Sequence, residues 1–253
     1  MRDNCKGATS LEKGVVLLFS FLDKSPQGIR ELSDHFQLPV STTYRLVRIL
    51  HRQQLLEQDN STRKYSLGLR LLQLQEPILR KLDLYQIALP HLDHLAELHS
   101  ETVQLTVRSG RDAVTLRVIE SKEALRFAPV EGGSVPLHCG AQAKAILGFL
   151  PEREIQDYLR GPLRAFTPHT VTKKTALIAD LRRIRKAGCA MSKEEIYLGA
   201  AGVAAPIFDR LGKVLGSCGL SGPLQRMTEQ QQEIAAADVR AAARVISEQL
   251  GCS

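Results

Sequence analysis

Apolar residues early in the chain recur every three or four positions, and the period shortens after residue 54. The first stretch predicts a helix over residues 11–22, capped by Ser10, with Leu11, Val15, Leu18 and Leu22 on one stripe. Val16, Leu17, Phe19 and Phe21 widen that stripe beyond the need of one small domain, so part of it is expected to form a partner interface. Ser25-Pro26-Gln27-Gly28 is a turn. A short helix follows over residues 30–36, with Leu32 and Phe36 four apart on one face. Gln37-Leu38-Pro39 ends it, because the residue before a proline is pushed out of helical dihedrals. A third helix, residues 41–53, places Thr43, Leu46, Val47 and Leu50 on one stripe and Thr42, Tyr44, Arg45, Arg48 and Arg52 on the other face. Residues 55–58 and 64–67 are two strands joined at Asn60-Ser61-Thr62, residue types that favour turns through local hydrogen bonds. Two short helices across a tight turn, followed at once by a hairpin, make a winged helix-turn-helix.

Residues 69–87 are leucine-rich and interrupted by Pro77, which should end or kink a helix. The expected organisation is a DNA-binding domain over residues 1–75, a linker helix over 76–90 and a second domain over 91–253. A helix over 89–100 carries His91, His94 and His99; without a nearby cysteine or carboxylate motif they are expected as surface residues, not metal ligands. From Glu101 the period changes. Residues 102–108 and 113–119 alternate or run β-branched around Ser109-Gly110-Arg111-Asp112, and 125–130 is a further expected strand. Residues 140–150 and 152–159 are helical in pattern. Thr172 is expected to cap a helix that runs to Ala187 and stops at Gly188. Strands over 189–192, 203–208 and 214–220 precede a closing helix begun by the capping-box spacing Thr228-x-x-Gln231. Grouped strands with helices between and after them give an α+β fold.

Composition then narrows the function. No run of about 18 apolar residues occurs, so no membrane span is expected. The N-terminus lacks an apolar leader core, which points to the cytoplasm. The five cysteines are scattered, with neither zinc nor redox spacing, and are expected as reduced thiols. The net charge is +7. Residues 1–75 hold eleven Lys or Arg against seven Asp or Glu, so under a third of the chain carries more than half the excess. Neutralising phosphates with such side chains releases condensed counterions, which favours nucleic acid.

The winged helix names its own candidates. Ser41 and Thr42 stand at the start of the recognition helix, where free amides and the helix dipole favour phosphate. Arg45, one turn on, can make a bidentate contact to guanine, while Tyr44 and Arg48 can reach base, sugar or phosphate. Arg30 lies at the start of the preceding helix. Arg63, with Lys64, is placed on the wing to approach the backbone or minor groove. No P-loop, dinucleotide fingerprint, HExxH or GxSxG motif is present. His138 and Cys139 adjoin, but neighbours on a strand point to opposite faces, which opposes a thiol–base pair. No catalytic residue, metal or cofactor is expected.

The motif order LPVSTTYRLVRIL, RKYSLG, PLHCGAQAKAIL, FTPHTVT and GVAAPIFDRLGKVLGSCGLSGP resembles the IclR family of bacterial transcription regulators, from about residue 11 to 250. The resemblance implies a GAF-like C-terminal domain that binds a small organic or aromatic acid. It also implies homodimers or dimers of dimers on palindromic double-stranded operators. By resemblance, the effector pocket is built from Phe127 and Val135, from Gly140, Ala141 and Gln142 at a helix start, from Ser192 to Gly202, and from Gly219 and Ser221. Family members often carry an acidic residue where Ser192 stands, some carry cysteine at Gly202, and Gln142 replaces a small residue. These departures suggest an effector other than a two- or three-carbon oxoacid. The alternative is a DNA-binding protein whose C-terminal domain only oligomerises.

Overall fold

Thr9, not the expected Ser10, begins the first helix. Its hydroxyl accepts from the Glu12 amide, and the Glu12 carboxylate accepts the Thr9 N–H at 2.7 Å, a reciprocal capping box. The helix, α1 (Ser10–Asp23), buries Leu17 and Phe21 and leaves Leu11, Val15, Phe19 and Leu22 exposed. Three residues of the expected core stripe therefore lie on the outward face, while its fourth, Leu18, is half-buried against the core. Eight apolar residues offered two stripes, and the one through Leu17 and Phe21 packs on the core, with Gly14 beside Leu46.

The structure is a computed structural model that describes residues 8–74 and 83–252. The chain divides into two units, residues 1–81 and 82–253. In the first, α2 (Ile29–Phe36) and α3 (Val40–Arg52) bracket Gln37, which ends α2 in the left-handed region at φ 51°. The Ser33 hydroxyl locks the turn by donating to the Leu38 carbonyl at 2.6 Å. Strands β1 (Leu56–Gln58) and β2 (Tyr65–Leu67) pair antiparallel, and Gln27 bridges to Tyr65. Leu17, Phe21, Leu32, Phe36, Leu46, Val47, Leu56 and Tyr65 form one core, so the helix-turn-helix and wing are a single packed body. Pro77 and the first part of the expected linker helix lie outside the described residues.

The second unit opens with α4 (Asp83–His99), one helix that runs through Pro90 and includes residues expected in the linker. Leu84, Ala88, Leu92 and Leu95 recur on its buried face and hold it to the sheet on both sides of the proline. Then come β3 (Thr102–Ser109), β4 (Asp112–Ile119), β5 (Ser134–Pro136), α5 (Gly140–Leu147), α6 (Glu152–Arg160) and α7 (Lys174–Ala187). β6 (Ala190–Lys193), β7 (Ala200–Phe208), β8 (Val214–Pro223) and α8 (Glu229–Gln249) complete the chain. The six strands form one antiparallel sheet in the order β5-β4-β3-β8-β7-β6.

Residues 125–130, expected as a strand, join no ladder. Pro129 has no N–H, and side chains serve the carbonyls instead: Thr102 Oγ1 donates to Phe127 at 2.6 Å and Arg226 to Leu125 at 2.9 Å. The cap of α7 is Lys173 rather than Thr172, while Gly188 at φ 71° ends it as expected. Val103, Leu105, Val203, Ala205 and Leu220 pack one sheet face against α4 and α8. The opposite face, carrying the alternate residues, is covered by α5, which sits over β6, β7 and β8.

Candidate functional site

Two places gather the chemistry, one in each unit. In the first, α3 buries Thr43, Leu46 and Val47 and turns Ser41, Tyr44, Arg45 and Arg48 to the surface. Arg30 on α2 and Arg63 on the wing are also exposed. Among the described residues none of Arg30, Arg45, Arg48 or Arg63 makes an ion pair. Thr42 departs from expectation: it is half-buried, and its N–H donates to Pro39 O at 3.0 Å, so that amide is not free for phosphate. Lys64 departs as well. It pairs with Glu31 at 3.1 Å and ties the wing to the start of α2. The Gly28 N–H, with Lys64 second, holds the Glu31 carboxyl below its ordinary range.

The wing is shaped by Asp59. Its carboxylate accepts from the Ser61 hydroxyl and from the Ser61 and Thr62 amides, both at 2.8 Å, and these bonds, the hydroxyl first, bring its pKa down to about 2. Arg63 follows in the left-handed region at φ 58°, its N–H on Asp59 O at 2.9 Å. Val40 and Ile49, absent from the sequence-based candidates, are also exposed apolar residues of α3; nine positions apart, they flank its polar face from opposite edges.

In the second unit a cavity of about 500 Å³ lies between the sheet, α5 and residues 126–135 and 192–201. Phe127, Val135, Gly140, Ala141, Gln142, Ser192 and Ser221 all line it. Gly202 and Gly219 do not; they lie in the strands below. A Cβ on Gly202 would stand 2.8 Å from the Leu220 carbonyl oxygen, and one on Gly219 only 2.1 Å from that of Val203. Their role is close strand approach. The registers order the floor into rows: Ser192 opposite Gly202 and Gly202 opposite Ser221, then Gln104 opposite Gly219, then Thr106 opposite Ser217. Gln104 Nε2 donates to Ser221 Oγ at 2.9 Å.

Gly140 starts α5 at φ 78°, where a side chain would be strained. Its N–H was expected to meet a ligand carboxylate; it instead donates to Glu195 Oε2 at 3.0 Å. The amides of Ala141 and Gln142, in the same first turn, have no carbonyl inside the helix to bond. Glu195 is buried and is joined by Lys144 Nζ, which also donates to Asp180 Oδ2 at 2.8 Å and to Met191 O at 3.3 Å. Arg183 adds a bond to Asp180 at 2.7 Å, so two cations balance two carboxylates. Burial alone would raise the Asp180 carboxyl, but Lys144 and then Arg183 outweigh it and hold it below its ordinary range. The cavity therefore faces no uncompensated negative charge from this cluster. Arg126 stands at the mouth, bonded to Glu120 at 2.8 Å, and the Phe127 and Tyr197 rings meet there with centroids 5.7 Å apart.

The geometry of His138 and Cys139 opposes nucleophilic chemistry. Both His138 ring nitrogens are occupied, Nδ1 by the Tyr158 hydroxyl at 2.7 Å and Nε2 by the Arg164 carbonyl at 3.0 Å. Burial, with Glu195 second, pushes the Cys139 thiol up to about 12, far from a thiolate at neutral pH. Glu195 and Tyr197 fall within the expected stretch from Ser192 to Gly202, while the residues that sequence reasoning missed include Gln104, Thr106 and Arg126. A signal for two of them was present: in Thr-Val-Gln-Leu-Thr-Val the polar residues all fall on one strand face.

Comparison with known proteins gives a consistent answer. Residues 77–248 match the model of the bacterial transcriptional regulator IclR C-terminal domain, and residues 10–60 match the IclR helix-turn-helix domain. The chain is 33% identical over 249 residues to the HTH-type transcriptional repressor AllR of Escherichia coli K12, covering 97% of this chain and 92% of that protein. It resembles the crystal structure of the Thermotoga maritima IclR with a TM-score of 0.73 at 28% identity, covering 96% and 98% of the two chains. An IclR homolog from Microbacterium hydrocarbonoxydans, crystallised with 4-hydroxybenzoate, matches with a TM-score of 0.78 at 28% identity, covering 96% and 99%.

Proposed function

The chain belongs to the IclR family of bacterial transcriptional regulators, and from that membership we propose that a small organic or aromatic acid in the C-terminal cavity modulates its binding to a palindromic operator. The cavity is the observation that carries the sensor reading. It is mostly apolar, with Gln104 bonded to Ser221 on its floor and Ser192 and the first turn of α5 also in its lining, a few polar groups of the kind that orient an acid. A volume of about 500 Å³ suits a ring or a longer chain better than a two- or three-carbon oxoacid. The 4-hydroxybenzoate complex of the Microbacterium homolog supports an aromatic acid as one such ligand.

On the DNA side, Arg45 reads a base edge from the major groove, Ser41, Tyr44 and Arg48 position α3, and Arg30 and Arg63 hold backbone. A homodimer, or a dimer of dimers, presents two such helices to half-sites one helical turn, about 34–36 Å, apart. A ligand with different affinities for the two arrangements of the dimer then shifts operator affinity by linkage. The same reading places the protein in the cytoplasm; no described helix is long and apolar enough to cross a membrane.

The test is selection of genomic DNA fragments by the purified protein at near-physiological salt, followed by thermal melting with candidate acids. A few enriched inverted repeats and a ligand-raised melting temperature are expected, since a ligand that binds the native state stabilises it by mass action. No enrichment over random fragments refutes the regulator reading. Enrichment with no acid raising the melting temperature leaves the domain that only oligomerises. Saturable micromolar binding of glyoxylate or pyruvate refutes the larger ligand.

A further inference from the structure

We propose that the cavity is built for a two-ended ligand, an acid whose far end carries a hydroxyl or amide held by Thr106 and Gln142. This rests on the effector reading of the cavity and adds a second polar pole to it. The two poles are separated along the sheet. Ser221 lies opposite Thr102 and Ser217 opposite Thr106, so the rows are four residues apart on β8, roughly 13 Å at about 3.3 Å per residue. Gln104, between them, turns its amide to Ser221 and so belongs to the acid end.

At the far end two buried side chains reach the cavity with bonding capacity unused. Thr106 is 2% exposed and Gln142 8% exposed, and both line the cavity. Thr106 Oγ1 and Gln142 Nε2 have no hydrogen-bond partner among the described residues. Buried polar groups are rarely left so, because the desolvation of each goes uncompensated.

Ser217 fixes what the ligand group has to be. Its hydroxyl lies 3.0 Å from Gln142 O and 2.9 Å from Gln142 Oε1, yet carries one proton. That proton serves one of the two oxygens. If it serves the backbone carbonyl, the amide is better turned to give its own N–H to Ser217, and the oxygen faces the cavity. If it serves the side chain, the NH₂ faces the cavity. A hydroxyl or amide donates and accepts, so it completes Gln142 in either orientation and Thr106 as well. A methyl group or a bare ring edge completes neither.

The experiment uses the full chain and two matched pairs of acids, 4-hydroxybenzoate with 4-methylbenzoate and 6-hydroxyhexanoate with heptanoate. Affinities are measured by titration calorimetry on the unaltered protein, on Thr106→Val and on Gln142→Leu. Thr106→Val is isosteric and removes only an unpartnered hydroxyl, so its unliganded melting temperature should match or exceed that of the unaltered protein. In at least one pair the hydroxylated acid should bind the unaltered protein about tenfold or more tightly, and each substitution should reduce that ratio severalfold. Equal binding of both members of each pair overturns the second pole and leaves the effector reading in place, as does a preference that survives both substitutions. A water bridging Thr106 and Gln142 in place of a ligand group gives that same equality. Binding of none of the four acids overturns both the pole and the acid-binding reading on which it rests.

Discussion

Replacing Lys144 with methionine isolates the charge cluster beneath the cavity. Lys144 is 1% exposed, and its ammonium bonds Glu195, Asp180 and the Met191 carbonyl. Methionine keeps most of the side-chain volume and removes the cation. Asp180 retains Arg183 at 2.7 Å, and Glu195 retains the Gly140 N–H at 3.0 Å but loses its only ion pair among the described residues. Breaking a buried pair from one side costs about 3–5 kcal/mol, and the surviving bonds argue for the lower end, about 3 kcal/mol. For a unit of this size that is roughly 6–12 °C in melting temperature by circular dichroism at pH 7.5. Adding Glu195→Gln should restore more than half of the loss, because the neutral amide can still accept the Gly140 N–H. Acidification to pH 5 should narrow the single variant's deficit, since protonation relieves a buried carboxylate without a cation. The unaltered protein behaves oppositely. The Asp180 pKa is depressed, so its stabilisation is complete above the unfolded value near ~3.9 and is lost only as pH falls through the lower folded value. A Lys144→Met protein that melts within about 2 °C of the unaltered chain, with no change on acidification, refutes the cluster's structural role.

Three further outcomes follow from named contacts. Arg45→Ala should flatten sequence preference at one base pair, a loss of roughly 1–3 kcal/mol. Melting should not change, because the side chain is exposed and in no described ion pair; unchanged selectivity in a binding-site selection refutes its readout role. Arg63→Ala should weaken binding evenly across sequences and reduce the salt slope of log K by about 1, measured by fluorescence anisotropy between two salt concentrations. Gly219→Ala should destabilise the second unit by roughly 1–3 kcal/mol or more. The new Cβ would sit 2.1 Å from the Val203 carbonyl oxygen, and a denaturant titration reads the loss directly.

The winged helix was legible because each of its decisions is local. The 3.6-residue period of Leu32–Phe36 and of Thr43–Leu46–Val47–Leu50, the proline after Leu38 and the Asn60-Ser61-Thr62 turn each act within a few residues. The face of α1 was not legible from apolar positions alone, since Leu17–Phe21 and Leu11–Val15–Leu22 are equally good stripes and only packing on α3 and the wing tells them apart. Strand 125–130 failed for a similar reason: apolar content suggests a ladder, while Pro129 and the side chains of Thr102 and Arg226 take its backbone elsewhere. Most of the cavity lining came from family resemblance, which carries residue positions but not their internal bonds. Lys144 and Glu195 are 51 residues apart, and nothing local pairs them; one lysine inside the small, apolar run Ala-Gln-Ala-Lys-Ala-Ile-Leu was the available hint. Gln104 and Thr106 were within reach, because their alternation with Val103 and Leu105 already put them on one face.

The central claim is that the C-terminal cavity controls operator affinity. It is tested most directly by measuring the dissociation constant for a selected operator duplex, at fixed salt, with and without a saturating acid that binds the cavity. The account predicts a change of at least about fivefold, the lower end of ordinary coupling energies near ~1 kcal/mol. That change should be lost in Gln142→Leu or Ser221→Ala proteins that still bind DNA. Identical affinity at saturating acid contradicts it.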